Sequence, residues 1–171
     1  EAVDIPQIVY NVPGRTALDM LPETTLRLAE VENIIGIKEA LGEVSRIQQL
    51  VAMCPADFSV FTGDDATAME SMLAGAKGDI SVTANVVPAQ MQRMCAAAVA
   101  GQREAAEAVE AEIQDLHRVL FLESNPIPVK WAMARMGLIG GALRLPMTPL
   151  AAQHHAVVEA ALEKAGALGN D

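Results

Sequence analysis

Four short apolar runs, separated by longer amphipathic stretches, most constrain the fold of this 171-residue chain. The runs are rich in β-branched side chains and occupy residues 8–12, 34–38, 58–62 and 79–83. Their hydrophobicity is nearly continuous, which is typical of strands covered on both faces in a parallel sheet flanked by helices. We therefore predict four buried parallel strands.

The stretches that follow these runs have helical spacing. The first can begin at Pro22, because a proline in the first turn of a helix loses no hydrogen bond. The others are predicted at residues 45–53, at residues 65–74, and from Pro88 to Gly101. Such strand–helix units form either a doubly wound sheet or a (β/α)8 barrel. Polar residues follow each run at the end where barrels carry their chemistry, so we favour the barrel.

The rest of the sequence has a helical pattern throughout. One apolar stripe runs between residues 105 and 120. We expect Asn125 to cap the next helix with Pro126 at its first position, and Pro149 to begin the last helix. The predicted fold class is α/β, with a half barrel of four βα units at residues 1–101 and an α-helical region at residues 102–171.

The charge of the chain argues against two classes of partner. Twelve basic and 22 acidic side chains give a net charge of −10. A surface this negative repels nucleic-acid backbones and anionic lipid, so we expect neither nucleic acid nor membrane as a partner. No apolar run approaches the roughly 18 to 20 residues that span a bilayer.

The cysteines and histidines suggest neither a disulfide nor a metal site. Cys54 and Cys95 stand far apart with no CxxC motif, which favours reduced thiols in a cytoplasmic protein. The histidines, His117, His154 and His155, lack the spacing of metal ligands, so we expect no metal.

Lys38 is the first candidate for chemistry, because it ends a buried apolar run. Loss of hydration at such a position favours the neutral amine, which attacks a ketone to form a Schiff base. The alternative is a strand-end lysine whose amine extends to water.

Three further positions lie at predicted strand ends. Tyr10, the only tyrosine, could relay protons or be a core residue with a satisfied hydroxyl. Arg15, in the loop that follows, could pair with a substrate carboxylate or stay solvated. Gly63 allows close approach of the backbone, and we expect Asp65 to cap the helix that follows it.

Six segments in order resemble the dihydrodipicolinate synthase / N-acetylneuraminate lyase family, and its synthase branch most closely. They span nearly the whole chain, so together they are far more specific than any one of them. The segments are residues 10–16 (YNVPGRT), 35–40 (IGIKEA), 63–65 (GDD), 80–85 (ISVTAN), 125–131 (NPIPVKW) and 143–147 (LRLPM).

The resemblance implies a class I lyase that needs no cofactor beyond a covalent pyruvate imine on lysine. It would condense pyruvate with L-aspartate-4-semialdehyde to 4-hydroxy-tetrahydrodipicolinate, on the diaminopimelate route to lysine. By resemblance, Lys38 forms the imine, Tyr10 belongs to the proton relay, and Arg15 meets the aldehyde's carboxylate. Ile80 contacts pyruvate through its backbone, and Gly63 lines the same pocket.

The sequence departs from the family pattern at two positions and in its length. Gly14 stands where serine is frequent, and Asp79 where an apolar residue is commoner. Family members have eight strands, and the resemblance covers the C-terminal half of a TIM barrel. The chain starts at Glu1 and leads directly into an apolar run, as if cut inside a larger protein. The absent half would supply a second relay tyrosine.

Several alternatives remain open. The chain could be an inactive part of a truncated enzyme, one partner of a split barrel, or a non-catalytic half-barrel scaffold. Substrate choice could instead follow the N-acetylneuraminate lyase or 2-keto-3-deoxy sugar acid aldolase branch. The resemblance implies a homo-oligomer, a dimer of dimers, for the complete enzyme.

Overall fold

The sheet has three parallel strands in the computed structural model, which describes residues 4–168. They are β1 (Gln7–Asn11), β2 (Ile34–Glu39) and β3 (Ser59–Thr62), in the spatial order β1-β2-β3. The register places Tyr10 beside Lys38 on the neighbouring strand. Three of the four predicted strands are thus confirmed, in the predicted parallel arrangement.

The two faces of the sheet differ in burial. Successive side chains of a strand point to opposite faces, so one face carries Ile37 and Val60, which are register partners and almost fully buried. The other face carries Ile8 and Tyr10, which are 44% and 50% exposed. The prediction that both faces are covered is therefore wrong for β1, because the side chains on one of its faces are about half exposed.

Eight helices lie within the described residues. They are α1 (Pro13–Thr16), α2 (Pro22–Leu28), α3 (Val44–Met53), α4 (Ala68–Leu73), α5 (Pro88–Val99), α6 (Arg103–Val119), α7 (Ile127–Arg135) and α8 (His155–Lys164). The 3-10 turns are Asp65–Thr67, Thr83–Asn85 and Ala152–His154. The predicted starts of α2, α3 and α5 are confirmed to within one residue. α4 ends before Gly75, whose positive φ of 112° is a conformation that other residues avoid.

The fourth predicted strand, which starts at Asp79, does not form. Asp79 makes a single bridge to Thr62, and the Ile80 N–H donates to the Thr62 carbonyl at 3.0 Å. The chain then turns away, and the Ser81 hydroxyl accepts a hydrogen bond from the Ala84 N–H at 2.9 Å. This local hydroxyl–backbone bond offers an alternative to sheet pairing and leads into a 3-10 turn. The prediction of four complete βα units is corrected to three strands and a bridge.

Two predicted helix caps and one predicted helix start are also wrong. Asp64, rather than Asp65, caps the turn before α4, with its carboxylate accepting from the Thr67 N–H at 3.1 Å. The N-cap of α7 is Pro126, and the Asn125 side-chain oxygen accepts no hydrogen bond. A 3-10 turn precedes α8, which begins at His155 and not at Pro149.

The described residues form two compact units. The first runs to Ile80 and includes Cys95–Arg103, and the second contains Ser81–Met94 and the residues from Glu104 onward. The core of the second unit contains Ile113, Leu116, Val158 and Leu162, all fully buried. The predicted boundary near residue 101 stays a prediction. From residue 4 to residue 168, no helix combines the length and apolar character needed to cross a bilayer.

Candidate active site

Lys38 and Tyr10 are paired across β2 and β1, one residue before each strand ends. Register partners in a parallel pair share a face of the sheet, so both side chains project from the open face. The Lys38 Nζ lies 4.4 Å from the centre of the Tyr10 ring, a cation–π contact. Lys38 is half-buried rather than extended into solvent.

Gly63, directly after β3, makes room for the lysine. A β-carbon at this position would overlap Cε of Lys38 and lie 2.9 Å from its Cγ and 3.0 Å from the Ala40 β-carbon. The Gly63 N–H donates to the Glu39 carbonyl at 2.8 Å, which ties the ends of β2 and β3 together. The glycine backbone therefore forms the surface along which the Lys38 side chain runs.

Ile80 and Arg15 lie at the same carboxyl edge of the sheet. Ile80 follows the bridge at Asp79, and its N–H is held by Thr62 at the end of β3. Arg15 lies in α1, directly after β1, and is exposed. The fold thus brings Lys38 into contact with both Tyr10 and Gly63, and places the other two residues on adjoining segments.

A polar cluster of four side chains lies on the opposite face of the strand ends. The Asn11 amide donates to both Glu39 carboxylate oxygens at 3.0 Å and to Asp19 at 2.8 Å. Arg46 donates to Asp19 at 2.7 and 3.0 Å and contacts Glu39 at 3.5 Å. We call these residues the strand-end cluster: Asn11, Asp19, Glu39 and Arg46.

This cluster was not among the sites predicted from the sequence. A signal exists, because Asn11 directly follows Tyr10 and Glu39 directly follows Lys38, each at the end of an apolar run. Polar side chains that alternate with candidate catalytic residues point to the opposite face, where they need partners of their own. Those partners are Asp19 and Arg46, and their distances along the sequence from Asn11 and Glu39 match no recognisable motif.

Three side chains of the cluster have shifted pKa values. Hydrogen bonds from Arg46, and then from Asn11, lower the pKa of Asp19 to about 2. Burial raises the pKa of Glu39, whose side chain is only 1% exposed, against the opposing effect of its hydrogen bonds. The hydrogen bond to Asp19 raises the pKa of Arg46. The ion pair between Arg46 and Asp19 is therefore fully charged at neutral pH.

Asp79 is a buried carboxyl group in the same unit. Both of its carboxyl oxygens are buried, Asp65 is the charged neighbour that affects it most, and the charge of Lys38 acts in the opposite direction. Burial, followed by the interaction with Asp65, raises the pKa of Asp79 to about 9. Asp79 is therefore protonated at neutral pH. Within the described part of the chain, no three acidic, histidine or cysteine side chains are grouped to bind a metal.

An open cleft of about 620 Å³ lies at the opposite edge of the sheet from Lys38. It is lined by residues that precede or begin β1 and β2, among them Asp4, Pro6 and Asn33. Barrel enzymes carry their chemistry at the carboxyl edge of the strands, so the position of this cleft argues against a catalytic role.

Comparison with known proteins identifies the family and the fold. The sequence model of the Dihydrodipicolinate synthetase family matches residues 1–165. The 4-hydroxy-tetrahydrodipicolinate synthase of Thioalkalivibrio sulfidiphilus is 59% identical over 166 residues, which are 97% of this chain and 56% of the relative. That of Teredinibacter turnerae is 57% identical, with 97% and 57% covered. The chain thus spans little more than half the length of these relatives.

Solved structures match the fold. A chloride-inhibited dihydrodipicolinate synthase from Acinetobacter baumannii, complexed with pyruvate, superposes with a TM-score of 0.95 at 50% identity, covering 98% of this chain and 57% of that one. The Thermotoga maritima enzyme gives 0.93 at 39% identity, with 97% and 58% covered. The α/β fold is accordingly a partial TIM barrel followed by C-terminal helices. This chain belongs to the dihydrodipicolinate synthetase family.

Proposed function

We propose that this chain carries the Schiff-base half of a lyase that condenses pyruvate with L-aspartate-4-semialdehyde to give 4-hydroxy-tetrahydrodipicolinate. The contact of the Lys38 amine with the Tyr10 ring, over the Gly63 backbone at the carboxyl edge of a partial barrel, carries this proposal. Family membership supports the reaction.

The chemistry requires a neutral amine and a nearby proton carrier. The Lys38 amine attacks the keto carbon of pyruvate, and the carbonyl oxygen leaves as water after protonation, which yields the imine. The imine acidifies the pyruvate methyl group, the resulting enamine carbon attacks the aldehyde carbon, and the aldehyde oxygen takes up a proton to become the hydroxyl. The amino group of the semialdehyde then attacks the imine carbon, which closes the ring and releases the Lys38 amine. The hydroxyl of Tyr10, whose ring contacts the amine, is the proposed proton carrier. The covalent imine supplies the electron sink, so we propose no metal or other cofactor.

The remaining site residues bind the two substrates in this proposal. Arg15 pairs with the carboxylate of the semialdehyde, since a guanidinium matches a carboxylate with two parallel hydrogen bonds. The backbones of Ile80 and Gly63 line the pyruvate pocket. The solved relative from Acinetobacter baumannii is a complex with pyruvate, which supports this substrate.

The complete enzyme needs an upstream half barrel in this proposal. The relatives are nearly twice as long as the match, and the open face of the sheet leaves Tyr10 and Ile8 half-exposed. An upstream half would close the barrel, exclude water from the imine and provide a second relay tyrosine, because Tyr10 is the only tyrosine here. We propose a cytoplasmic homo-oligomer, a dimer of dimers, for that enzyme.

Borohydride trapping with pyruvate tests the proposal. The chain is assayed alone and after mixing with the separately expressed upstream half of the Thioalkalivibrio sulfidiphilus relative, and association is checked by size-exclusion chromatography. We expect a reduced pyruvyl adduct on the peptide that contains Lys38 in the mixture, and little adduct on the chain alone. Lys38→Arg should abolish the adduct, and Lys77→Arg, at an exposed lysine of the same unit, should preserve it.

Two results would contradict the proposal. An associated mixture without an adduct at Lys38 would support the non-catalytic scaffold instead. An adduct that condenses with a neutral sugar aldehyde but not with L-aspartate-4-semialdehyde would move the chain to the sugar acid aldolase branch.

A further inference from the structure

The strand-end cluster joins four separate segments of the first unit. Asn11 ends β1, Glu39 ends β2, Asp19 lies in the loop after α1, and Arg46 lies in the first turn of α3. Glu39 and Arg46 are nearly buried, with side chains 1% and 12% exposed. Hydrogen bonds to charged groups in such surroundings are strong and directional, so the cluster fixes these segments relative to one another.

The cluster acts one residue beyond the Tyr10–Lys38 pair. Asn11 and Glu39 are the next register partners along β1 and β2, and their side chains are joined by two hydrogen bonds of 3.0 Å. The backbones are joined at the same level, where the Ala40 N–H donates to the Asn11 carbonyl at 2.9 Å. This cross-strand lock sets the separation of the two strand tips, and with it the contact between the amine and the ring.

The cluster also closes the base of the segment that carries Arg15. Asn11 precedes this segment and Asp19 follows it, and the two side chains are joined at 2.8 Å. The Met20 N–H donates to the Asn11 side-chain oxygen at 2.9 Å, and Arg46 contacts the Met20 carbonyl at 3.3 Å. Both ends of the loop are therefore held at one point beside β2.

We infer that Asn11, Asp19, Glu39 and Arg46 are positioning residues that hold the Lys38 amine against the Tyr10 ring and anchor the Arg15 segment. The catalytic consequence of this inference rests on the proposed function, whereas its geometric part does not. None of the four side chains reaches the open face, so each acts through the strand or loop that it anchors. If these residues contributed to folding alone, a variant that still folds would keep the contact between the Lys38 amine and the Tyr10 ring unchanged.

Nuclear magnetic resonance of the 171-residue chain tests the inference without requiring activity. We expect the Tyr10 ring current to shift the Lys38 ε-methylene protons upfield, and Tyr10→Leu gives their shift without the ring. Arg46→Met removes the central cation, and Asp19→Asn is a milder second variant that keeps the side-chain size. Arg103→Met is the matched control, because Arg103 forms a two-bond ion pair with Glu70 in the same unit, and both side chains are about half exposed.

We expect both cluster variants to move the Lys38 shift at least halfway to its value in Tyr10→Leu. Exchange of the Met20 and Leu41 amides, which bond to Asn11 and Glu39, should accelerate about tenfold. Arg103→Met should change neither readout. An unchanged Lys38 shift in a folded Asp19→Asn protein would overturn the inference, whether or not amide exchange accelerates.

Pyruvate trapping in the presence of the upstream half separates this inference from the proposed function. If wild type forms the adduct, both cluster variants should form it at least tenfold more slowly. If wild type forms no adduct and the Lys38 shift still responds to Asp19→Asn, the proposed function fails and the positioning role stands. An adduct that forms in the variants at the wild-type rate would overturn the catalytic part of the inference.

Discussion

The side chain of Lys38 lies directly against the backbone of Gly63, where a β-carbon would overlap its Cε. The lysine and the glycine belong to different strand ends, so this contact depends on the pairing of β2 with β3. The contact explains why a residue with no side chain stands beside the candidate nucleophile. It also makes the position of the amine sensitive to a single methyl group.

Gly63→Ala should displace Lys38 from the Tyr10 ring. Its φ is not in the left-handed region, so the variant should fold with little loss of stability while the lysine is pushed aside by about an ångström. We expect pyruvate trapping in the presence of the upstream half to slow by roughly 100-fold, measured by mass spectrometry. Gly14→Ala is the control, since a β-carbon there meets nothing within 4 Å. Equal rates for the two variants would contradict the steric argument.

Tyr10→Phe should separate the contribution of the aromatic ring from that of the hydroxyl. The aromatic ring and its cation–π contact with Lys38 remain, whereas the proposed proton carrier is lost. We expect the upfield shift of the Lys38 ε-protons to persist while adduct formation with pyruvate slows about 100-fold. Tyr10→Leu should lose both. Trapping at the wild-type rate in Tyr10→Phe would exclude the hydroxyl from the relay.

Asp79→Asn should stabilise the fold, and more so as the pH rises. The folded pKa of about 9 exceeds the ordinary value of 3.8, so folding favours the protonated acid, and this contribution is lost as the pH rises from about 4 towards 9. The amide in the Asp79→Asn variant does not titrate, so its contribution to stability does not change over this pH range. We expect a gain of roughly 1–3 kcal/mol in the free energy of unfolding at pH 7, from urea titrations between pH 5 and 9.

Asp57→Asn is the comparison for this pH series, because Asp57 is an exposed carboxylate of the same unit. Its free energy of unfolding should follow that of wild type at every pH. A stability difference for Asp79→Asn that stays constant between pH 5 and 9 would show that Asp79 is not protonated in the folded chain.

Thr83→Val should destabilise the second unit through His117. The Thr83 hydroxyl lies 2.9 Å from Nδ1 of His117, and Nε2 of the same ring lies 3.3 Å from the Glu110 carboxylate. Both Thr83 and His117 are buried, so removing the hydroxyl leaves a ring nitrogen without a partner in an apolar core. We expect a loss of about 1–3 kcal/mol in thermal or urea unfolding. The exposed Thr148→Val should cost far less, and an equal cost would contradict this account.

Much of the local structure could be predicted because its causes are local. Residues close in sequence determine where strands and helices form. This holds for the apolar runs of β1, β2 and β3 and for the prolines that begin α2 and α5. The strand-end cluster could not be predicted in this way. Asn11 and Glu39 are 28 residues apart, and Arg46 is 27 residues from Asp19, so only strand pairing and helix packing bring them together.

The sequence by itself determined the family, the parallel strands and the strand-end position of Lys38. Hydrophobic periodicity and motif order depend only on the order of residues in the chain. The tertiary structure alone decided that the run starting at Asp79 forms a bridge instead of a strand, since sheet pairing needs a partner that local pattern does not specify. It also decided that the Asp79 carboxyl is buried, which raises its pKa. The physical reason is the same in both cases: pairing and desolvation depend on residues that are close in space but distant in sequence.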